Sequence, residues 1–194
     1  MKINEKRVAM GEPPAKGLVK SKDMRGYLNQ RGWFYHDGGA FGRVYRNPKQ
    51  PQHVLKIFQD PSYLRFLSFT KKSENPHFPN TSKPFYLKFG DLSYWGVMME
   101  FLSDNDDEVN TYVNYFKMIS NWKPQRDRNR VPLWMKRIEQ EFPRWRIACM
   151  EIYELIRKTR RAGGHMETDV EWGRNIMFRG GVPVFTDPVW GGDQ

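Results

Sequence analysis

The period of apolar and polar positions changes several times along this chain. Trp33-Phe34-Tyr35 and Val44-Tyr45 flank the glycine-rich turn Asp37-Gly38-Gly39-Ala40-Phe41-Gly42, an order of strand, turn and strand that predicts a β-hairpin. Asn47-Pro48 turns the chain into His53-Val54-Leu55-Lys56-Ile57-Phe58, a strand in which Lys56 is the only charge among apolar neighbours. Asp60 followed by Pro61 is a helix-start signature, with the acid as cap and the proline in the first turn. Helical spacing returns at Tyr112, Tyr115, Phe116 and Ile119, predicting a helix over 109–122, and a second aromatic-bearing helical stretch covers 133–145. A long helix from about Pro143 is expected to end at Lys158 to Gly164, where cations in the last turn and glycines beyond suit the helix dipole and the C-cap. Near the carboxyl end, Ile176-Met177-Phe178 and Val184-Phe185 form the arms of a short hairpin.

Composition narrows the class. A chain of 194 residues makes one domain or two small lobes. Thirteen Phe, nine Tyr and seven Trp supply a core despite the polar average. The single cysteine, Cys149, lies in an apolar-periodic helix and is expected to be a buried, inert thiol, and one cysteine permits no internal disulfide. Residues 1–6 show no apolar signal region and no run approaches membrane-spanning length, so the expected location is the cytosol.

The net charge of +10 is concentrated in two places. Residues 1–31 carry eight Lys or Arg against three Asp or Glu and are expected to be a mobile basic arm, with a short helix near 22–30. Residues 123–132 are a basic loop, while 103–110 read as an acidic linker. Basic segments near Trp and Tyr also permit a nucleic-acid-binding reading, with the arm and the loop as grips on phosphates. The cations at 157–161, however, are explained by the helix end.

The chemistry sits in four places. Asp169, then Asn175, then a hairpin carrying Asp187, is the layout that phosphoryl transfer needs. One acid orients or deprotonates the acceptor hydroxyl, while an Asn and an Asp hold magnesium on the nucleotide phosphates. In the amino-terminal half, Gly39 and Gly42 let backbone N–H groups approach phosphate oxygens, and Lys56 on its strand reaches for them. Each element has a plainer reading taken singly: a glycine turn as a simple hairpin, a strand lysine as a solvated edge residue, Asp187-Pro188 as an ordinary turn. Their order along the chain is what favours a kinase-type site.

On these residues the chain resembles the protein-kinase-like superfamily, and more narrowly the early serine/threonine protein kinases of T-seven-like podoviruses. Gly39-Ala40-Phe41-Gly42-Arg43-Val44 is similar to the second half of the kinase glycine loop, and Val54-Leu55-Lys56 to the strand-three lysine motif. His77 to Asn80, Lys83 to Phe89 and Tyr94 to Leu102 resemble the fourth and fifth strands and their approach, with Met99 as gatekeeper and Glu100-Phe101-Leu102 as hinge. Asn175 to Phe178 through Val182 to Val189 resembles the phage kinases' metal loop, with Thr-Asp-Pro for Asp-Phe-Gly.

The resemblance implies an α+β, two-lobed protein-kinase-like fold. A basic arm over 1–31 would precede an N-lobe over 32–102, with a five-stranded antiparallel sheet, and a reduced helical C-lobe over 103–194. It implies ATP and Mg2+ as cofactors. Gly38, Gly39, Gly42, Val44, Lys56, Glu100 and Leu102 would bind nucleotide, Asn175 and Asp187 the metal, and Asp169 with Lys56 would be catalytic. The implied partners are host bacterial proteins, transcription or RNA-processing machinery among them, in the host cytoplasm.

The sequence also departs from that pattern. Asp37 stands where the loop's first glycine is expected, bringing a carboxylate near phosphates. Asp169 lies six positions before Asn175 instead of five, so a one-residue bulge restores it, Glu171 substitutes for it, or the base is absent. No Glu follows Lys56 before Glu74, which leaves Asp187 to orient the lysine. The sequence given stops seven residues after Asp187, so substrate recognition is expected to come from surfaces other than a full peptide-binding lobe. The alternatives are a catalytically weak or inactive pseudokinase that binds and inhibits a host protein, a small-molecule kinase, or a nucleic-acid-binding phage protein.

Overall fold

The structure, a computed structural model, describes residues 17–19, 23–39, 42–104, 106–120, 131–170 and 175–191. The chain divides into two compact units, one of residues 1–60 with 80–101, the other of 61–79 with 102–194.

Among the described residues, the first unit is a sheet with one helix. Its strands are β1 (Gly17–Val19), β2 (Phe34–Gly38), β3 (Gly42–Arg46), β4 (His53–Phe58), β5 (Phe85–Phe89) and β6 (Leu92–Glu100), in the order β1-β5-β6-β4-β3-β2. β2 to β6 are the five antiparallel strands expected; β1 adds a sixth, parallel to β5. Cross-strand rows fix which side chains share a face, because residues directly opposite one another point the same way. Tyr45, Leu55 and Met98 make one such row, and Ile57 lies opposite Gly96, itself opposite Phe85. That face is the core, completed by Leu87, Phe89, Trp33 and the Met24 and Leu28 of helix α1 (Met24–Asn29).

The short helix expected near 22–30 in the basic arm is α1. Met24 and Leu28 stand one helical turn apart and are buried at 6% and 0% exposure, while Asp23 caps the helix by accepting from the Gly26 N–H at 3.0 Å. Apolar anchoring at that spacing outweighs the basic composition. The rest of the arm, residues 1–16 and 20–22, lies outside the described residues.

The second unit holds α2 (Pro61–Thr70), α3 (Asp106–Ser120), α4 (Leu133–Glu141) and α5 (Trp145–Arg161) with four short strands. These are β7 (Glu167–Thr168), β8 (Ile176–Arg179), β9 (Val182–Phe185) and β10 (Val189–Trp190). β8 and β9 form a hairpin closed by Gly180-Gly181, both at positive φ, and β7 pairs antiparallel with β10.

Three boundaries differ from expectation for identifiable reasons. α3 begins at Asp106, inside the expected acidic linker, since carboxylates at a helix N-terminus oppose the dipole favourably. α4 stops at Glu141 instead of running to 145, because Pro143 offers no N–H to continue it. α2, placed by chain order in the expected N-lobe over 32–102, belongs to the second unit. Its Tyr63 stacks on Phe66, and Phe66 and Phe69 both meet Phe78 edge-on, within 5.5–6.0 Å. Its Ser62 hydroxyl donates to the His165 carbonyl at 3.2 Å.

An aromatic stack is the centre of the second unit. Trp145 and Phe185 lie face to face at 4.4 Å and 9°, Phe116 packs edge-on against Phe185, and Tyr112 against Trp145. Cys149, fully buried on α5, has its thiol pushed well above the usual range by burial, the inert state expected of it. Among the described residues no helix is long and apolar enough to cross a membrane.

Two measurements test this packing. A Cβ at Gly96 would lie 2.5 Å from the Phe85 ring, so Gly96→Ala should cost about 1–3 kcal/mol through overpacking, read as a lower urea midpoint. His77 is buried between Phe142 and Trp145, and its Nδ1–H donates to the Pro183 carbonyl at 2.7 Å. Burial, with lesser contributions from Arg179 and Arg144, lowers its pKa to about 4 despite that hydrogen bond. The unfolded chain therefore binds a proton between about pH 6.5 and 4 that the folded chain refuses, and stability falls as pH falls through that window. We expect about 3 kcal/mol of loss from this group by pH 4, and a shallower pH dependence in His77→Gln, by urea unfolding at each pH.

Candidate functional site

The candidate residues fall into two sets, one in each unit. In the first unit, Asp37, Val44, Lys56 and Val97 form a single cross-strand row, so Asp37 and Lys56 project from the same face of the sheet with Val44 between them. This is the face opposite the α1 core. Lys56 is 9% exposed, a buried lysine rather than a solvated edge residue. Met99, opposite Val54, shares the Lys56 face two positions along from Val97. Gly42 sits over the lysine: a Cβ there would be 3.3 Å from Lys56 Cε. Gly42, Val44 and Lys56 are thus brought together by register alone.

The glycine turn is closed by its own hydrogen bonds. The Gly38 N–H donates to Asp37 Oδ1 at 2.7 Å, and the Gly39 N–H donates to the Gly42 carbonyl at 3.0 Å. Gly38 admits no side chain, because a Cβ would meet the Gly42 oxygen at 2.9 Å and the Tyr35 hydroxyl at 3.1 Å. A Cβ at Gly39 would have no neighbour within 4 Å among the described residues. A bulge between Tyr35 and Asp37 shifts the register and sets Asp37 on the Lys56 face, so this carboxylate shapes the turn as well as charging it.

Of the expected hinge, Glu100 ends β6 and Leu102 is buried in the second unit. The Glu100 carboxylate accepts from Asn80 twice, from the backbone N–H at 2.8 Å and from Nδ2 at 3.1 Å. Its side chain therefore fixes the strand end. Asn80 is the partner that sequence reasoning missed, since nothing local marks a contact across twenty residues.

In the second unit, Asp169, Asn175 and Asp187 converge at one end of the β8–β9 hairpin. β7 leads directly into Asp169, whose N–H donates to the Pro188 carbonyl at 2.8 Å. Asn175 donates from Nδ2 to the Asp169 carbonyl, and its own carbonyl accepts from the Thr186 N–H at 2.9 Å. These contacts tie the residues before, within and after the hairpin into one cluster. With Nδ2 committed to Asp169, Asn175 Oδ1 is the oxygen available to a cation. The segment 171–174, with the alternative base Glu171, lies outside the described residues, as does the basic loop over 123–130.

Tyr63 of α2 is the other group that sequence reasoning missed here. Burial pushes its hydroxyl well above the usual range, and the negative charge of Asp187 pushes in the same direction, so the two are electrostatic neighbours. α2 itself carries no acid.

Among the described residues no group of three or more His, Cys, Asp or Glu stands ready to enclose a metal ion. One carboxylate and one amide oxygen are instead the sparse donor set that suits Mg2+, which keeps waters and takes substrate phosphates as further ligands. Asn175 and Asp187 fit that role. No known family model matches the chain, and no curated protein matches it.

Proposed function

We propose that this protein is a phage serine/threonine protein kinase that transfers phosphate from ATP to host bacterial proteins. The observation that carries the reading is the cluster at the β8–β9 hairpin, where Asn175 is held on the Asp169 carbonyl and Asp187 follows Thr186, itself bonded to Asn175. Phosphoryl transfer requires an acceptor-orienting acid and a metal-holding pair in a fixed relation, and a hairpin is a rigid way to fix them. The buried Lys56 under Gly42 supports a phosphate-binding role for the sheet unit. The phage and host assignments follow from the family resemblance of these motifs.

In this reading Lys56 holds the α and β phosphates, and the turn at Gly38, Gly39 and Gly42 lies over them. Val44, Glu100 and Leu102 receive the base. Asn175 and Asp187 would hold Mg2+, which would supply positive charge to the phosphates. The acceptor hydroxyl oxygen attacks the γ-phosphorus, the bond to the β–γ bridging oxygen breaks, and the hydroxyl proton passes to the Asp169 carboxylate. The Asn175 bond to the Asp169 backbone carbonyl supports this role across the six-residue spacing.

A second reading, the pseudokinase that binds and inhibits a host protein, is favoured by the Asp37 contact in the glycine turn. Incubation with labelled ATP and host lysate separates the two, since only the kinase labels host proteins.

ATP and magnesium at about a hundred times the dissociation constant should stabilise the folded protein by about 2.7 kcal/mol. That is a rise of roughly 5–10 °C in melting temperature. Absence of a shift, or a shift that Asp187→Ala leaves intact, removes the metal-nucleotide assignment. Asp169→Asn should lower phosphotransfer about 100-fold or more with ATP binding nearly unchanged, while Glu171→Gln is mild. The reverse pattern moves the acceptor role to Glu171.

A further inference from the structure

Asp37 does more than replace a glycine. Its Oδ1 accepts the Gly38 N–H at 2.7 Å, a charge-assisted contact of the kind a phosphate oxygen would make with the same amide. The next amide, Gly39, is already given to the Gly42 carbonyl at 3.0 Å. The Gly38 and Gly39 N–H groups thus both have partners, and one of these is an anion belonging to the chain. Register adds the second half of the argument. Asp37 stands in the same cross-strand row as Lys56, on the same face, with only Val44 intervening. Adjacent strands lie about 4.8 Å apart, so the two backbones are roughly 10 Å from each other, within one Debye length. A phosphate group approaching Lys56 over this turn meets both an occupied amide and a like charge.

We propose that Asp37 is an internal competitor of the nucleotide phosphates: a carboxylate that holds the Gly38 amide and must be displaced when a polyphosphate binds. This rests on the phosphotransfer reading above and deepens it. The consequence is selectivity by charge. The penalty falls on the phosphate end of the nucleotide and leaves the base and ribose untouched, so Asp37 depresses affinity for ATP without depressing affinity for adenosine. It also makes ATP binding depend strongly on magnesium, which offsets the added negative charge.

The test measures dissociation constants of the full-length protein for ATP with magnesium and for adenosine by titration calorimetry, in the wild type, Asp37→Gly and Asp37→Asn. Asp37→Gly removes the anion and restores a free amide. ATP should then bind about tenfold or more tightly, the order that a charge-assisted hydrogen bond carries, with adenosine changed less than about twofold. Asp37→Asn keeps an oxygen able to accept the Gly38 N–H but drops the charge, and should fall between the two. If the wild type binds ATP and Asp37→Gly leaves that affinity unchanged or weaker, the competitor role is overturned while the kinase reading stands. An equal gain for adenosine and ATP also overturns it, since a reshaped turn rather than a removed anion would be responsible. If no version binds ATP, the nucleotide reading falls and the competitor role falls with it.

Discussion

Stacking of Trp145 on Phe185 is the contact on which the second unit depends. Trp145 opens α5 and Phe185 closes β9, so one aromatic pair at 4.4 Å joins the longest helix to the hairpin that carries the candidate chemistry. Phe185 lies two residues before Asp187, and its N–H donates to the His77 carbonyl at 2.9 Å. The stack, the His77 contact and the Asn175–Asp169 bond therefore form one continuous path from the buried core to the acidic cluster. A cluster supported in this way is set by packing, which tolerates little displacement in a close-packed interior. Loop chemistry alone would not hold Asp169, Asn175 and Asp187 in a constant relation.

The sheet unit achieves a comparable rigidity by other means. β4 is buried along its whole length, so both of its faces are committed, one to the α1 core and the other to the row that holds Lys56. Burying a lysine among valines is unfavourable unless its charge is used or paired. Lys56 has interactions of its own in the structure, and its position under Gly42 keeps it aimed along the turn. The bulge before Asp37 matters here as well: in a regular ladder His36 would stand opposite Val44, and Asp37 would alternate to the other face of the sheet.

How much of this the sequence carries depends on the range over which each feature is determined. The hairpin around Gly38 to Gly42 and the strand at 53–58 are legible because alternation, aromatic content and turn residues act locally. The end of α5 is legible for the same reason, its cations and glycines standing in sequence where the helix needs them. β1 is not legible, since Gly17-Leu18-Val19 is too short to show a period and becomes a strand only because β5 offers an edge. Nor is the membership of α2 in the second unit, which is decided by Phe66 and Phe69 meeting Phe78 rather than by neighbours in the chain. At the candidate site the residue types and their order are readable, whereas the amide taken by Asp37, the grip of Asn80 on Glu100 and the approach of Tyr63 to Asp187 are properties of three-dimensional contact.

The threading of the chain through the two units has a consequence for anyone who would divide the protein. The backbone leaves the sheet unit after Asp60, contributes α2 and the segment to Pro79 to the other unit, returns at Asn80, and leaves again after Phe101. A cut at the apparent lobe boundary near 102 thus leaves the sheet unit whole on one fragment but divides the other unit between the two. An amino-terminal fragment would carry Tyr63, Phe66, Leu67 and Phe78 as an uncovered apolar surface, and the complementary fragment would lack the helix against which β10 packs. The second unit is assembled from two separated stretches of chain, so neither side of such a cut carries all of it.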